Sequence, residues 1–308
     1  MNIESATLHG PLEPRDAVLG NKAKNLKAIS ELPDLKTPKG CAVLPDVSRS
    51  IIAIVRPALD EAIKSLDYGA AYVEIERAIS AVDTPDLDRW WEATQSALAL
   101  PGPYAVRSSG HPVVGNMVLA EDSAANSLAG QYSSYLNVSR DDVVCSIKLC
   151  IASLFNARSL ELFNVREDRG YLDGTMTVLI QEMITAQVSG VMMTVDPIEG
   201  NPDLLGIEGG CGPCSQYVDG SSQGDFLLVS RSDGSVLSTD LGSKNGLYCQ
   251  ANQICATDSP CFSPNQVESL LKAGLAIDAY FSGPQDVEFA FDENSTLNIL
   301  QVRPITTN

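Results

Sequence analysis

Two short basic segments of the chain have residue types that bind anions. Lys22 closes the segment Gly20-Asn21-Lys22 at the start of a predicted helix, and a cation beside helix N-terminal N–H groups forms an anion site. Arg107 ends a predicted buried strand and precedes Ser108-Ser109-Gly110, which adds hydroxyl and backbone donors to a bidentate guanidinium. Both segments suit phosphate, although a solvated lysine and an arginine paired with a carboxylate are the alternative interpretations.

Two segments near the C-terminus combine acidic, amide and basic side chains. Residues two apart on a strand share a face, so Asp286 and Glu288 face one way, as do Gln301 and Arg303 on the next strand. Carboxylate and amide oxygens bind Mg²⁺, and arginine binds phosphate oxygens. The pattern fits a Mg²⁺-phosphate site, and a cross-strand salt bridge on a solvated face is the alternative.

Two further features lie between these segments. The loop Asn126–Gln131 is rich in small residues, which let a backbone approach a ligand closely, although most such loops are only connections. His111, one of two histidines, lies four residues after Arg107. It could act as a phosphoryl acceptor or general base, and an ordinary loop histidine is the alternative.

Eight cysteines in 308 residues are too dilute for a disulfide scaffold. Cys211 and Cys214 have the spacing of a thioredoxin redox motif, but no βαβ pattern surrounds them. We rank buried or reduced thiols first, a zinc site second and a redox-active pair third.

The predicted helices and strands divide the chain into a mixed α and β part and a β-rich part. Helices are predicted over 46–66, 72–98 and 140–168, strands over 103–109 and 131–138, and a long loop over 110–130. From residue 175 strand-like runs dominate, and a helix over 264–281 precedes a closing hairpin. The sequence predicts two interlocked lobes that meet near residue 184.

The charge balance excludes several partners. Twenty-one basic and 39 acidic residues give a formal net charge of −18, which repels nucleic acid and anionic membrane surfaces. We find no run of about 18 apolar residues and no secretory signal, so we predict a cytoplasmic protein.

Taken in order, these segments resemble the nucleotide-binding domain shared by phosphoenolpyruvate synthase, pyruvate phosphate dikinase and rifampicin phosphotransferase. The resemblance covers residues 18 to 306, in the stretches LGNKAKNL, TPKGCAVLP, YAVRSSG, EDSAANSLAGQYSSYLNV, SIKLCIASLFNAR, VLIQEMITAQVSGVMMTVDP and GPQDVEFAFDENSTLNILQVRPIT. It implies an α+β, ATP-grasp fold with the nucleotide between an N-terminal lobe with a helical insertion (1–183) and a C-terminal lobe (184–308).

The resemblance also implies the cofactors ATP and Mg²⁺ and a role for each matching residue. Lys22, Arg107 and Arg303 hold and neutralise ATP phosphates, and Asp286 completes that site. Glu288 and Gln301 bind Mg²⁺. The phosphate-covering loop contains Ser127, Gly130 and Gln131, and the adenine hinge contains Gln181, Glu182 and Ile184.

Four departures limit this transfer. Two glycines of the family's GGKGxNL motif are missing at GNKAKNL, HPVVGNMVLA (111–120) is extra sequence, and Pro213 stands where the GLGE-type loop has its acid. The 308 residues contain no match to the family's swivelling domain, which carries a phosphohistidine.

The resemblance therefore predicts a Mg-ATP-dependent phosphotransferase (kinase) acting on a small-molecule acceptor. One alternative is the ATP-binding subunit of a split phosphoenolpyruvate synthase-like or drug-phosphorylating system, with a separate phosphohistidine-domain protein as partner. Two further alternatives are a non-catalytic nucleotide-binding regulatory module and an ATP-grasp ligase that forms acyl phosphates.

Overall fold

The computed structural model describes residues 3–13, 18–62, 64, 67–111, 113–114, 117–118, 132–165, 175–218, 220, 223–242 and 259–305. The chain divides into two compact units, the first made of Met1–Lys27 and Lys39–Met183 and the second of Ala28–Pro38 and Ile184–Asn308. Residues 28–38, which the sequence analysis places in the first lobe, thus belong to the second unit. Each unit contains helices and an antiparallel sheet, so the architecture is α+β.

The first unit is built on a five-stranded sheet with the order β1-β2-β7-β3-β6. Its strands are β1 (Ser5–Thr7), β2 (Gly40–Val43), β3 (Tyr104–His111), β6 (Ser134–Val138) and β7 (Thr175–Glu182), and Val113–Val114 (β4) and Met117–Val118 (β5) form a separate pair. Its helices are α1 (Asn21–Ile29, which ends in the second unit), α2 (Pro45–Ala62), α3 (Tyr68–Ser80), α4 (Pro85–Ala97), α5 (Val143–Ala152) and α6 (Ala157–Val165).

Alternate residues of this sheet face two different hydrophobic clusters. One face contributes Cys41, Val106, Val178 and Ile180 to the main core, which helices α2 to α6 complete. The opposite face forms a smaller cluster around Leu179, where Ala23 and Leu26 of α1 pack. The period-2 alternation of the strands therefore gives one helix-covered face and one face that α1 covers.

Cys41 provides a test of the main core. Its side chain is almost fully buried, and burial raises the pKa of the thiol to about 12. The thiolate is the reactive form, so we expect iodoacetamide at pH 8 to leave Cys41 unmodified in the folded protein and to modify the exposed Cys145. Peptide mass spectrometry of native and urea-denatured samples measures this. Equal native labelling of the two cysteines would show that the core assignment is wrong.

The predicted helices 72–98 and 140–168 are each interrupted. Residues 81–84 separate α3 from α4, and the second helix breaks at Asn156, which has an extended ψ of 161°. The Asn156 Oδ1 atom accepts a hydrogen bond from Ser159 N at 2.9 Å, so Asn156 ends one helix and caps the next. The apolar face continues across the break, so periodicity alone hides it.

Among the described residues, only 140–161 is long and apolar enough to be a candidate membrane span. About two thirds of it is buried within the protein. Its Ile147, Ile151 and Phe155 lie in the main core of the first unit. The stretch has the burial of the core helix of a soluble protein, and the predicted cytoplasmic location remains a prediction.

The second unit has a six-stranded sheet with the order β11-β10-β9-β8-β12-β13. The strands are β8 (Val188–Met193), β9 (Leu204–Cys211), β10 (Asp225–Ser230), β11 (Val236–Asp240), β12 (Gln285–Phe291) and β13 (Leu297–Pro304), and the helices are α7 (Ser215–Val218) and α8 (Pro264–Phe281). Helix α8 begins with a capping box between Ser263 and Gln266 and has Pro264 at its first position. Its apolar face packs on Met192, Val287 and Phe289 of the sheet.

Candidate functional site

In the first unit, Arg107 lies on the sheet face that α1 covers. Arg107 pairs with Leu179 and Ser109 pairs with Thr177 in the register of β3 with β7, and Leu179 belongs to the cluster under α1. Gln181 is two residues further along β7 on the same face and is 2% exposed. The fold therefore places Arg107, Ser109 and Gln181 on one face.

Two hydrogen bonds bring the start of α1 onto this face. Ser109 Oγ accepts a hydrogen bond from Ala23 N at 3.3 Å, and Thr177 Oγ1 donates to Val18 O at 3.1 Å. Lys22 precedes Ala23 and is only 6% exposed. A buried ammonium needs compensating partners, so Lys22 is not the solvated lysine of the alternative interpretation. The structure thus brings the two basic segments together.

Gly20 tests this contact. A Cβ at residue 20 would lie 2.0 Å from Ser109 Oγ and 2.2 Å from Ser109 O, so one backbone must move. We expect Gly20→Ala to lower the free energy of unfolding by about 1–3 kcal/mol, as overpacking does. Urea denaturation followed by circular dichroism measures it.

Gly69→Ala is the matched control, because a Cβ there lies in ordinary contact 3.4 Å from Asp67 Oδ1 within α3. Alanine favours a helix over glycine, so this variant should be neutral or slightly more stable. Equal unfolding free energies for the two variants would contradict the close approach of residue 20 to Ser109.

The predicted adenine hinge begins where β7 ends. Glu182 N donates to Lys39 O and Met183 N to Pro103 O, both at 2.9 Å. Lys39 N donates to the Glu182 carboxylate at 2.9 Å instead of completing the β ladder. Ile184 N makes no backbone hydrogen bond within the described part of the chain. The base-reading role of Gln181, Glu182 and Ile184 remains a prediction, for which Ile184 N is the available donor.

In the second unit, the C-terminal hairpin has the predicted register. Asp286 pairs with Arg303, and Glu288 pairs with Gln301. Arg303 donates to Asp286 Oδ2 from Nε at 2.8 Å and from Nη2 at 2.7 Å. The ion pair predicted as the alternative is therefore present, and it holds the guanidinium on the same face as Glu288 and Gln301.

Glu288 and Gln301 fit a magnesium ion that is completed by substrate. They are 7% and 2% exposed and supply one carboxylate and one amide oxygen. Mg²⁺ is commonly held by one or two carboxylates together with waters and substrate phosphates. No group of three or more His, Cys, Asp or Glu residues that could hold a metal occurs among the described residues. The residues thus suit a Mg²⁺ carried by a phosphate ligand.

Several predicted site residues cannot be placed. Ser127, Gly130 and Gln131 lie outside the described residues. His111 is the last residue of β3 and pairs with Thr175, but its side chain is not described. The predicted loop 110–130 is wrong at its start, because β3 extends to residue 111 and β4 pairs with β5.

None of the three predicted interpretations fits both Cys211 and Cys214. Cys211 is disulfide-bonded, whereas Cys214 is a free and buried thiol, so the two do not pair with each other. Cys214 Sγ donates to Gly190 O at 3.2 Å. The reduced-thiol interpretation holds for Cys214 and is wrong for Cys211.

Glu208, an acidic residue of the second unit, lies near the predicted site although no sequence motif indicates it. Glu208 of β9 pairs with Val191 of β8, which in turn pairs with Glu288. Glu208 therefore lies on the sheet face that carries Glu288 and Gln301. The signal in the sequence was weak, since one carboxylate in a glycine-rich strand does not reveal its cross-strand neighbours.

Residues 16–308 match the family model for the pyruvate phosphate dikinase AMP/ATP-binding domain. The chain is 31% identical to a rifampicin phosphotransferase from Streptomyces sviceus, over 96% of this chain and 35% of that protein. A probable phosphoenolpyruvate synthase from Methanocaldococcus jannaschii is 31% identical over 66% of this chain and 17% of that protein. The prodigiosin synthesizing transferase PigC from Serratia marcescens is 27% identical over 96% and 32%. The chain spans about a third of the length of the relatives that match nearly all of it.

Proposed function

The chain belongs to the pyruvate phosphate dikinase AMP/ATP-binding domain family, and from this premise we propose that it binds Mg-ATP and transfers a phosphoryl group to an acceptor. The membership confirms the resemblance read from the sequence. The helices and the two main antiparallel sheets confirm the predicted α+β class, and an ATP-grasp arrangement is part of the proposal. The activity, the acceptor and the metal are part of the proposal.

The contact between Ser109 and the start of α1 is the observation that carries the proposal. It sets the buried Lys22 beside the strand that holds Arg107, inside a chain with a net charge of −18. Cationic side chains gathered on one face of an acidic protein are suited to a polyphosphate. In this proposal Lys22 and Arg107 bind phosphate oxygens and orient them.

The hairpin of the second unit supplies the remaining groups of the proposal. Asp286 orients the Arg303 guanidinium, which binds phosphate, and Glu288 and Gln301 hold Mg²⁺. Held by these two residues, Mg²⁺ would neutralise negative charge on the phosphate groups during transfer. Phosphoryl transfer depends chiefly on such positioning and electrostatic stabilisation, which these residues would provide.

We propose a small molecule as the acceptor. The relatives' names refer to rifampicin, phosphoenolpyruvate and prodigiosin, which differ in structure, and a shared ATP-binding part does not select among acceptors. His111 remains a candidate acceptor or base. The proposal includes no nucleic-acid or membrane partner, because the net charge disfavours both.

A second candidate function is that of an ATP-binding part of a larger system. The chain spans about a third of its relatives' length, so the phosphoryl group could pass to a histidine outside these 308 residues. A nucleotide-binding regulatory role is the third candidate.

Product analysis separates these candidates. The chain is incubated with Mg-ATP and a small-molecule acceptor panel, and nucleotides are resolved by ³¹P NMR. ADP formed only with one acceptor would support direct transfer and identify the substrate. AMP would indicate cleavage at the β-phosphate and transfer through a histidine. Binding without turnover, even with added histidine-domain protein, would support the regulatory module.

A further inference from the structure

A cavity of about 670 Å³ lies within the second unit, and none of the residues assigned to the nucleotide or to Mg²⁺ lines it. The end of α8 and the turn between β8 and β9 form most of its border. Small-molecule sites commonly have volumes of about 300–1,000 Å³ and largely apolar walls. The walls of this cavity include three prolines and three aliphatic residues, which are Pro197, Pro202, Pro284, Val195, Leu275 and Ile305.

The cavity is open to solvent. Leu275 and Ala279 of α8 are exposed residues of its wall. A Cβ added at Gly200 or at Gly283, which also line the cavity, would meet no atom within 4 Å, so protein atoms do not fill the space beside them. A small molecule can therefore enter without displacing part of the fold.

Asp196 is a buried carboxylate in the wall of this cavity, with 4% of its surface exposed. Its Oδ1 atom accepts a hydrogen bond from Ile198 N at 2.9 Å. Its Oδ2 atom has no hydrogen-bond or ion-pair partner in the described part of the chain. Removing a carboxylate from water is costly unless a cation or a donor compensates its charge. Asp196 Oδ2 is therefore the acceptor that the cavity offers to a ligand.

Backbone hydrogen bonds hold this carboxylate in place. Gly200 N donates to Asp196 O at 2.9 Å, and Asp196 N donates to Asn201 O at 3.1 Å. Asn201 Oδ1 accepts a further hydrogen bond from Asp203 N at 3.0 Å, which closes the turn. The acceptor is thus positioned before a ligand binds, which lowers the entropic cost of binding.

The other charged groups of the wall form an ion pair that is satisfied internally. Arg231 Nη2 donates to Asp278 Oδ2 at 2.6 Å, and Arg231 Nη1 donates to Thr194 O. Thr194 Oγ1 donates to Asp278 Oδ1 at 3.4 Å. Asp278 thus balances the charge of Arg231, and Asp196 leaves the wall with an excess negative charge. The C-terminus of α8, at Ser282 in the same wall, adds partial negative charge.

We propose that this cavity binds an organic ammonium ion with an apolar body, as a second ligand beside the nucleotide. The ammonium N–H groups donate to Asp196 Oδ2, and the carbon skeleton packs on the proline and aliphatic walls. An anionic ligand is disfavoured, because it would meet the uncompensated carboxylate and the helix C-terminus.

A bare metal ion fits the cavity less well than an organic cation. Cations such as Mg²⁺ and Ca²⁺ take several oxygen ligands, whereas this wall offers one uncompensated carboxylate in wide, largely apolar surroundings. Among the described residues no group of three or more His, Cys, Asp or Glu is placed to hold a metal.

The test is an NMR titration of the ¹⁵N-labelled chain with 2-phenylethylammonium chloride, beside the neutral 2-phenylethanol and the anionic 3-phenylpropionate. We expect the natural chain to bind the ammonium ion about tenfold or more tightly than the alcohol, as for a hydrogen bond to a charged acceptor. The anion should give no saturable shift. Asp196→Asn keeps the Oδ1 acceptor for Ile198 N and loses the charge, so it should bind the ammonium ion and the alcohol about equally.

Two further variants separate the carboxylate from the cavity. Asp240→Asn is the matched control, because it removes the same charge from an exposed residue of β11 outside the cavity, and it should keep the natural preference. Ala279→Trp places a ring at an exposed position of the wall and leaves every charged group unchanged. This variant should prevent binding of both the ammonium ion and the alcohol.

Four results would overturn the inference. The first is equal affinity of the natural chain for the ammonium ion and the alcohol, or no binding of either. The second is the natural preference in Asp196→Asn, and the third is unchanged binding in Ala279→Trp. The fourth is displacement of the ammonium ion by saturating Mg-ATP, which would place it in the nucleotide site. Failure of the chain to bind ATP would count against the proposed function alone, because this inference does not rest on it.

Discussion

Glu288→Gln should lower ATP turnover by about 10²–10³-fold, the effect of removing a charged group that stabilises a transition state. The substitution keeps the size of the side chain and its place opposite Gln301 but removes the negative charge from a residue that is 7% exposed. A Mg²⁺ ion held by one carboxylate and one amide would then have only neutral protein ligands. Turnover is measured as phosphate or AMP release over a range of Mg²⁺ concentrations.

Glu268→Gln is the matched control for this prediction. Glu268 lies in the same unit, on the exposed surface of α8, and its ion pair with Lys272 is solvent-exposed. Such pairs contribute little, so turnover should stay within experimental error of the natural chain. If Glu288→Gln turned over ATP at the natural rate and with the natural Mg²⁺ requirement, the metal assignment would be wrong.

Arg107→Met should weaken Mg-ATP binding by about 10- to 100-fold, the range for loss of charge-assisted hydrogen bonds. Methionine fills much of the space of the aliphatic part of arginine, so the pairing of β3 with β7 is expected to persist. The dissociation constant is measured by fluorescence titration with an ATP analogue. Circular dichroism confirms that the variant folds.

Arg77→Met serves as the control for Arg107. Arg77 is an exposed residue of α3 in the same unit and pairs only with Glu74 among the contacts that the structure describes. Its replacement should leave nucleotide affinity unchanged. Equal affinities of the Arg107 and Arg77 variants would show that Arg107 has a structural role.

The sequence alone predicts those parts of the fold that depend on local patterns. The closing hairpin follows from alternating residues around a polar turn, and the facing of Asp286 and Glu288 toward Arg303 and Gln301 follows from its register. The helix over 264–281 is found at its predicted bounds, because it has a strong cap and a continuous apolar face.

Features that depend on distant contacts are not predictable in this way. The bond between Ala23 and Ser109 joins residues 86 apart, and no local pattern indicates it. Residues 28–38 belong to the second unit because of packing, as shown by Ile29 within that unit's core. Glu208 lies opposite Val191 and on the same sheet face as Glu288 only because three strands pair in one register.

The resemblance to a family predicts more of the site than residue chemistry does. Lys22 and Arg107 each had an ordinary structural interpretation, and only the order of the segments along the chain favoured phosphate. The resemblance says least about residues 111–120 and the cysteine pair, because the sequence departs from the family there. Cys211 is disulfide-bonded, which neither composition nor the resemblance indicated.

The most direct test of the central claim is calorimetric titration of the purified chain with Mg-ATP, beside a Lys22→Met/Arg107→Met double variant. We expect saturable binding at one site per chain and loss of that binding in the folded double variant. No saturable binding to the natural chain, or the same dissociation constant for both proteins, would contradict it.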